Sequence, residues 1–403
     1  MSKMSLVVRA TLAVIAVPIL FVAAAASGVC EPCARAFGFV ADAGLGSTLR
    51  VSGPQVGPDS ETPEPPEGFN LQRRPGSVDL EATYDVSNAS IPLNEVHTLL
   101  PRDAIPALTD PKTRPARRID WLEPDDRVIM VEIDGEVLAA PFKILNYHEV
   151  VNDRVGGEPV ALTYCPLCDS ASAFSRDVSL GDGKSRTLEF GVSGALFNSN
   201  VLMYDRQTMG LWSQLAMEAV TGPHAGASLD HLPVRVLPWS AFMAEYPEAR
   251  VVGRETGHQR PYERSAYQRY FSDDALMVDV RSYGDEMPRK TLGLGIYVNG
   301  EAIFIAADAL GEEGRRIETP AGEVHARAVG GGIEVLNAPA EAHTAQTFYY
   351  SWSAFRPETR VLTEEDFRKR ADERFFFPIA LAILCLLMVP PLASRAGVKR
   401  EVR

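Results

Sequence analysis

Val128-Ile-Met-Val-Glu-Ile133 and Glu136-Val-Leu-Ala-Ala140 are two apolar runs separated by Asp134-Gly135 alone. A two-residue Asx-Gly link supplies the positive φ angles that a tight turn demands, which commits the two runs to antiparallel pairing. The pattern returns at Val298-Asn-Gly-Glu301, again inside an apolar hairpin, and the stretches that follow (Val137 to Leu145, Ala302 to Leu310) match in apolar pattern. Two origins fit this echo: an internal duplication, or the likeness shared by any two hairpins that turn on Asx-Gly.

Other segments carry the same strand signature. Val160 to Tyr164 reads as a strand ending at Cys165. Ala171 to Val178 and Arg186 to Val192 flank Gly181-Asp-Gly183, and Val201 to Tyr204 and Gly210 to Ser213 flank Asp205-Arg-Gln-Thr208. Each reads as a hairpin, while Trp239 to Tyr246 has helical spacing. With 31 glycines and 29 prolines in 403 residues, turns are frequent and long helices disfavoured. The predicted fold is mainly β (β-rich α+β), barrel- or sandwich-like, with a hydrophobic helix at either terminus.

Those termini suggest a compartment. Lys3 and Arg9 precede the charge-free stretch Ala10 to Ala26, the layout of a signal sequence or N-terminal membrane anchor over residues 1–29. Residues 30–77 include a proline-rich, acidic stretch that reads as a stiff linker. The folded domain is expected over 78–360. Phe375 to Ala393 is a second charge-free run, and at about 1.5 Å per residue it reaches ~28 Å, enough to span the hydrocarbon core. Arg395, Lys399, Arg400 and Arg403 follow, which suits a cytoplasmic tail over 394–403. The expected topology places the domain outside the cytoplasm, with the membrane as a partner. A formal net charge of −13 repels phosphate backbones and argues against nucleic acid.

Five cysteines are too few for a disulfide framework in a domain of this size. Four form the pairs Cys30/Cys33 and Cys165/Cys168, and the fifth, Cys385, lies in the second apolar run. The first pair reads as a local disulfide or a redox relay near the membrane surface. The second lies in the densest polar stretch of the chain, residues 146–226. Two cysteines three apart either cycle between dithiol and disulfide, donate thiolates to zinc or copper, or form an inert staple. All three fates stay open.

Around this pair the motifs TYCPLCDSASAF, FGVSGALFNSNVLMYDRQTMGLWSQ and TGPHAG follow one another, preceded by DGEVLAAPFKILNYHEVVND and followed late by FYYSWSAFRPET. In this order they resemble the bacterial family of domain of unknown function 3179, over residues of about 90–360. The resemblance brings no activity with it, so fold and function are argued from residues.

His148, 17 residues before Cys165, is the nearest candidate partner. It is a third metal ligand beside Cys165 and Cys168, a base that activates a thiol, or a structural histidine bonded to backbone. A nucleophilic site would combine Cys165, His148 and a carboxylate (Asp169, Asp153 or Asp205), with Arg206 available to an anion. Ser193, Asn198 and Gln214 are the candidate binding groups, with Gln214 placed to orient a substrate. Tyr204 and Trp212 read as core residues, and Asp205 and Arg206 also fit a plain turn. The functional expectation is a membrane-anchored extracytoplasmic protein with a Cys/His metal-binding or thiol-redox site. The competing expectation is a non-catalytic binding or scaffold module of the cell envelope with a structural disulfide.

Overall fold

The two Asx-Gly turns form as expected, and they explain the frame. In this computed structural model, which describes residues 79–179, 185–278, 280 and 282–368, Asp134 and Gly135 take φ of 50° and 79°, and Asn299 and Gly300 take 49° and 84°. The first turn joins strands β1 (Arg127–Ile133) and β2 (Glu136–Pro141), which run straight into helix α1 (Phe142–His148). A three-stranded meander follows: β3 (Val150–Val155), β4 (Glu158–Cys165) and β5 (Ser170–Ser175). An inserted sheet carries β6 (Phe190–Phe197), β7 (Asn200–Asp205) and β8 (Leu211–Ser213). The first half closes with β9 (Val234–Pro238), α2 (Trp239–Glu245) and β10 (Arg250–Val252).

The second half repeats this order without the insertion. Hairpin β11 (Leu292–Val298) and β12 (Glu301–Ala306) leads into α3 (Ala307–Leu310). The meander is β13 (Arg315–Thr319), β14 (Gly322–Val329) and β15 (Gly332–Asn337). Then come β16 (His343–Phe348), α4 (Tyr349–Phe355) and β17 (Arg360–Leu362). The halves interlock by exchanging meanders. One large sheet runs β3-β4-β5-β16-β11-β12-β17 and the other β13-β14-β15-β9-β1-β2-β10, with short edge strands added. In each sheet one half's meander therefore lies beside the other half's hairpin. Small details repeat too: Arg250 bonds Glu136 at 2.5 Å, and Arg360 bonds Glu301 at 2.6 Å, the glutamate in each case following the Asx-Gly turn.

Period-two alternation decides which side chains enter the core. Ile129 and Val131 of β1 pack with Val160 and Leu162 of β4, while Val128 and Met130 face Trp239 and Phe242 of α2. Leu294, Ile296 and Ile303 pack with Ile317, Val324 and Ile333 in the same way. The two large sheets thus face one another as a sandwich. Among the described residues none of the sheets closes on itself, so a sandwich and not a barrel is the form adopted there. The inserted sheet covers the outer side of the β3-β4-β5 meander, where Phe190, Val192 and Met203 pack with Ala161 and Phe174.

Other expectations need correction or stand outside these residues. Ala171 to Val178 does not pair with Arg186 to Val192 as one hairpin. β5 belongs to the large sheet, only Asp177–Ser179 pairs with Ser185–Thr187, and β6 begins at Phe190 in the inserted sheet. Burial on both faces draws the two long strands into different sheets. The Gly181-Asp-Gly183 turn, the signal or anchor over 1–29, the linker over 30–77, the apolar run 375–393 and the tail 394–403 lie outside the described residues. Among the described residues no helix is long and apolar enough to cross a membrane.

Candidate functional site

The β4–β5 connection carries the cysteines. Cys165 is the last residue of β4 and pairs in register with Ser170, so Pro166 to Asp169 form the turn between them. Both sulfurs are free thiols, and the cysteines are 1% and 0% exposed. The inserted sheet lies over them on one side and the β16–α4 corner on the other. The Cys168 carbonyl accepts the Phe348 N–H at 2.7 Å and the Thr347 hydroxyl at 3.1 Å. The Tyr350 hydroxyl donates to Leu167 O at 2.9 Å. Tyr350, Ser199 and Tyr270 are linked by hydroxyl contacts of 3.2 and 3.4 Å.

Around the Cys168 sulfur the hydrogen bonds have a fixed direction. The Leu215 N–H donates to Asn200 Oδ1 at 3.2 Å, which turns the Asn200 NH2 group toward the cysteine. That NH2 lies 3.1 Å from Cys168 Sγ, 3.1 Å from Ser170 Oγ and 2.8 Å from Gln214 Oε1. Gln214 is oriented as well: its Nε2 donates to Thr163 Oγ1 at 2.9 Å, whose own hydrogen goes to Ser172 O at 3.0 Å. Gln214 Oε1 must therefore accept, and Ser170 Oγ donates to it at 2.5 Å while lying 3.1 Å from Cys168 Sγ. An amide that can only donate faces the sulfur, an arrangement that favours a thiolate.

The two thiols diverge accordingly. Burial pushes the Cys165 thiol well above its ordinary range, and its hydrogen bond to Cys168 adds to this. Burial acts on Cys168 in the same sense. There it is outweighed by the contacts of its sulfur with Cys165, Ser170, Asn200 and Ser351, which hold this thiol below its ordinary value. Glu149 is a further buried acid near the pair. Burial, then the neighbouring Cys168, pushes its carboxyl up to about 8. It caps α1 with φ of 56°, and its backbone carbonyl accepts the Tyr164 N–H at 2.8 Å, which brings the residue alongside the end of β4.

His148 is committed elsewhere. Its Nδ1–H donates to Pro106 O at 2.7 Å, and its Nε2 accepts the Tyr262 hydroxyl at 2.7 Å. Burial holds the imidazole down to about 4, so it is neutral with both nitrogens occupied. Among the described residues no three His, Cys, Asp or Glu side chains converge as a metal-holding group, and the His148 nitrogens face Pro106 and Tyr262. A short sequence separation had suggested contact, but α1 places the histidine ring against the 256–262 segment instead.

Of the remaining candidates, Gln214 joins the cysteine site and the others do not. Asp205 is fully buried and accepts the Trp212 indole N–H at 2.9 Å and the Thr208 backbone N–H at 2.6 Å, which closes the β7–β8 turn. Arg206 pairs with Asp103 at 3.2 Å and Glu189 at 3.1 Å on the surface. Ser193 accepts the Ala195 N–H at 3.0 Å at the irregularity in β6, and Asn198 donates to Ala354 O at 3.3 Å from a turn with φ of 50°. Sequence reasoning missed Asn200, Ser170, Ser351 and Glu149. A signal was present for two of them: Ser170 directly follows the CxxC-Asp run, and Asn200 begins an apolar strand as its one amide.

A family model described as Protein of unknown function (DUF3179) matches residues 102–343, more than half of the chain. No curated protein and no solved structure matches it.

Proposed function

The chain belongs to the DUF3179 family, and from that premise we propose that it is a membrane-anchored extracytoplasmic protein whose Cys165 and Cys168 interconvert between dithiol and disulfide. The single observation that carries the reading is the oriented Asn200 NH2 group 3.1 Å from the Cys168 sulfur, three residues along the chain from a second free thiol. A staple has no use for a donor aimed at one sulfur, because a disulfide sulfur is a poor acceptor. A thiolate nucleophile does. The two apolar runs, Ala10 to Ala26 and Phe375 to Ala393, support the extracytoplasmic placement. The interlocked halves support an internal duplication in which only the first half acquired cysteines at its meander turn.

The step balances as follows. The Cys168 thiolate attacks one sulfur of a partner disulfide and expels a thiolate. The Cys165 thiol then loses its proton and attacks the Cys168 sulfur, which releases the second partner thiol. Two cysteine sulfurs are oxidised and one disulfide is reduced to two thiols.

Equilibration of the full chain against glutathione redox buffers tests this, read by mass after alkylation of unfolded samples. Two thiols disappearing together and reversibly support the reading, as does its loss in Cys168→Ser. Thiols that stay reduced in excess oxidised glutathione overturn it. A second reading follows from the burial of both sulfurs: a binding or scaffold module in which the pair is structural. It predicts that Cys165→Ser and Cys168→Ser lower the unfolding midpoint equally and that the disulfide resists reduction until the chain unfolds.

A further inference from the structure

The geometry points to Arg127 as the positioning residue of the cysteine turn, an inference that rests on the dithiol–disulfide reading above. Asp169 directly follows Cys168 and takes φ of 47°, a left-handed conformation that aspartate adopts more readily than most non-glycine residues and that its side-chain partners hold in place here. Those partners are visible. Arg127 Nη1 and Nη2 donate to the two Asp169 oxygens at 2.8 and 2.9 Å, and the Tyr164 hydroxyl donates to Oδ1 at 2.8 Å. The ion pair is withdrawn from water, with side-chain exposures of 12% and 4%.

Arg127 is itself held rigidly. Its guanidinium lies 4.5 Å from the centre of the Phe142 ring, and Nη1 also donates to Gly331 O at 3.1 Å. It begins β1, in the sheet opposite the cysteines, so the fork ties one sheet of the sandwich to the β4–β5 turn of the other. Gly331 lies in the β14–β15 turn, which is the second half's counterpart of the cysteine turn. One arginine thus grips both meander turns where the interlocked halves meet.

On the far side, the Cys168 carbonyl is fixed by Phe348 and Thr347. With the turn clamped from both sides, the Cys168 sulfur is kept against the Asn200 NH2 group. Loosening the Asp169 clamp lets the turn relax out of its left-handed residue and draws the sulfur off that donor. The donor stabilises the reduced thiolate, so its loss favours the disulfide.

The test is the equilibrium constant of the full chain with the glutathione couple. Arg127→Met combined with Asp169→Asn removes both charges, so no lone carboxylate is buried, and asparagine tolerates the left-handed φ. We expect this pair to shift the constant toward disulfide on the order of tenfold. Arg127→Lys keeps the charge but loses the two-pronged grip, and is expected to shift it in the same direction by less. Arg250→Met, an ion-pair loss remote from the turn, serves as control: it lowers stability and leaves the constant at its native value. A folded double variant within about twofold of native overturns the role of Arg127 while leaving the dithiol–disulfide reading intact. Absence of any reversible disulfide in the native chain overturns that reading first, and the role of Arg127 with it.

Discussion

The side-chain nitrogen of Asn200 stands 3.1 Å from the Cys168 sulfur, and it cannot change places with its oxygen because the Leu215 N–H holds Oδ1. A donor in that position favours the charged sulfur. Replacing Asn200 by Leu keeps much of the volume and removes the donor. A hydrogen bond to a charged group is worth about 1.5–3 kcal/mol, so the Cys168 thiol should titrate roughly one to two units higher. Thiolate absorbance near the ultraviolet edge, followed against pH in the Cys165→Ser background, checks this. An unmoved midpoint contradicts it.

His148 should make the fold acid-sensitive. Its folded value is lowered to about 4 by burial. A lowered value means that the unfolded chain binds the proton first, so the stabilisation is complete above the ordinary imidazole range near 6.5 and is lost as pH falls from there toward 4. Up to about 3 kcal/mol is at stake in this window. His231, also lowered to about 4 chiefly by burial, contributes in the same window. His148→Gln should therefore flatten part of the decline in denaturation midpoint between about pH 6.5 and pH 4, and an unchanged slope counts against it.

Glu149 slopes the other way. Its carboxyl is raised to about 8, chiefly by burial, so the folded chain keeps a proton that the unfolded chain has released. The stability this confers is present below the ordinary carboxylate range and drains away as pH climbs from about 4.5 to 8. Glu149→Gln mimics the protonated form. It should raise stability at pH 8 by about 3–5 kcal/mol and change little at pH 4. Urea midpoints at the two pH values decide the matter.

The paired arginines of the two halves should differ in weight. Arg360 and Glu301 are both more than a third exposed, so Arg360→Met should cost below about 1 kcal/mol. Arg250 also binds Asp153, whose side chain is only 7% exposed, at 2.9 Å. Arg250→Met leaves that carboxylate buried without its cation and should cost about 2–3 kcal/mol, discounted because the arginine itself is partly exposed. Equal costs, measured by denaturant unfolding, would show that the equivalence of the halves extends to energy.

Sequence alone determined the local pieces. Asp134-Gly135 and Asn299-Gly300 specify hairpins because positive φ is cheap there, and β4 ends at Cys165 because Pro166 has no N–H to continue the ladder. The repeated Trp-Ser-Ala-Phe at 239–242 and 352–355 also marks the two halves. The tertiary structure decided which distant residues meet. Gln214 does reach Ser170, but Asn200 and Ser351 reach Cys168 only through the packing of the inserted sheet and of α4 against the cysteine turn, and Arg127 reaches Asp169 only because the halves exchange meanders. His148 was assigned to the cysteines on separation along the chain, and the helix turned its ring toward Tyr262. Backbone preference is a property of a few neighbouring residues and is written in them. The meeting of side chains depends on strand register and sheet order, which the burial of the whole core selects at once.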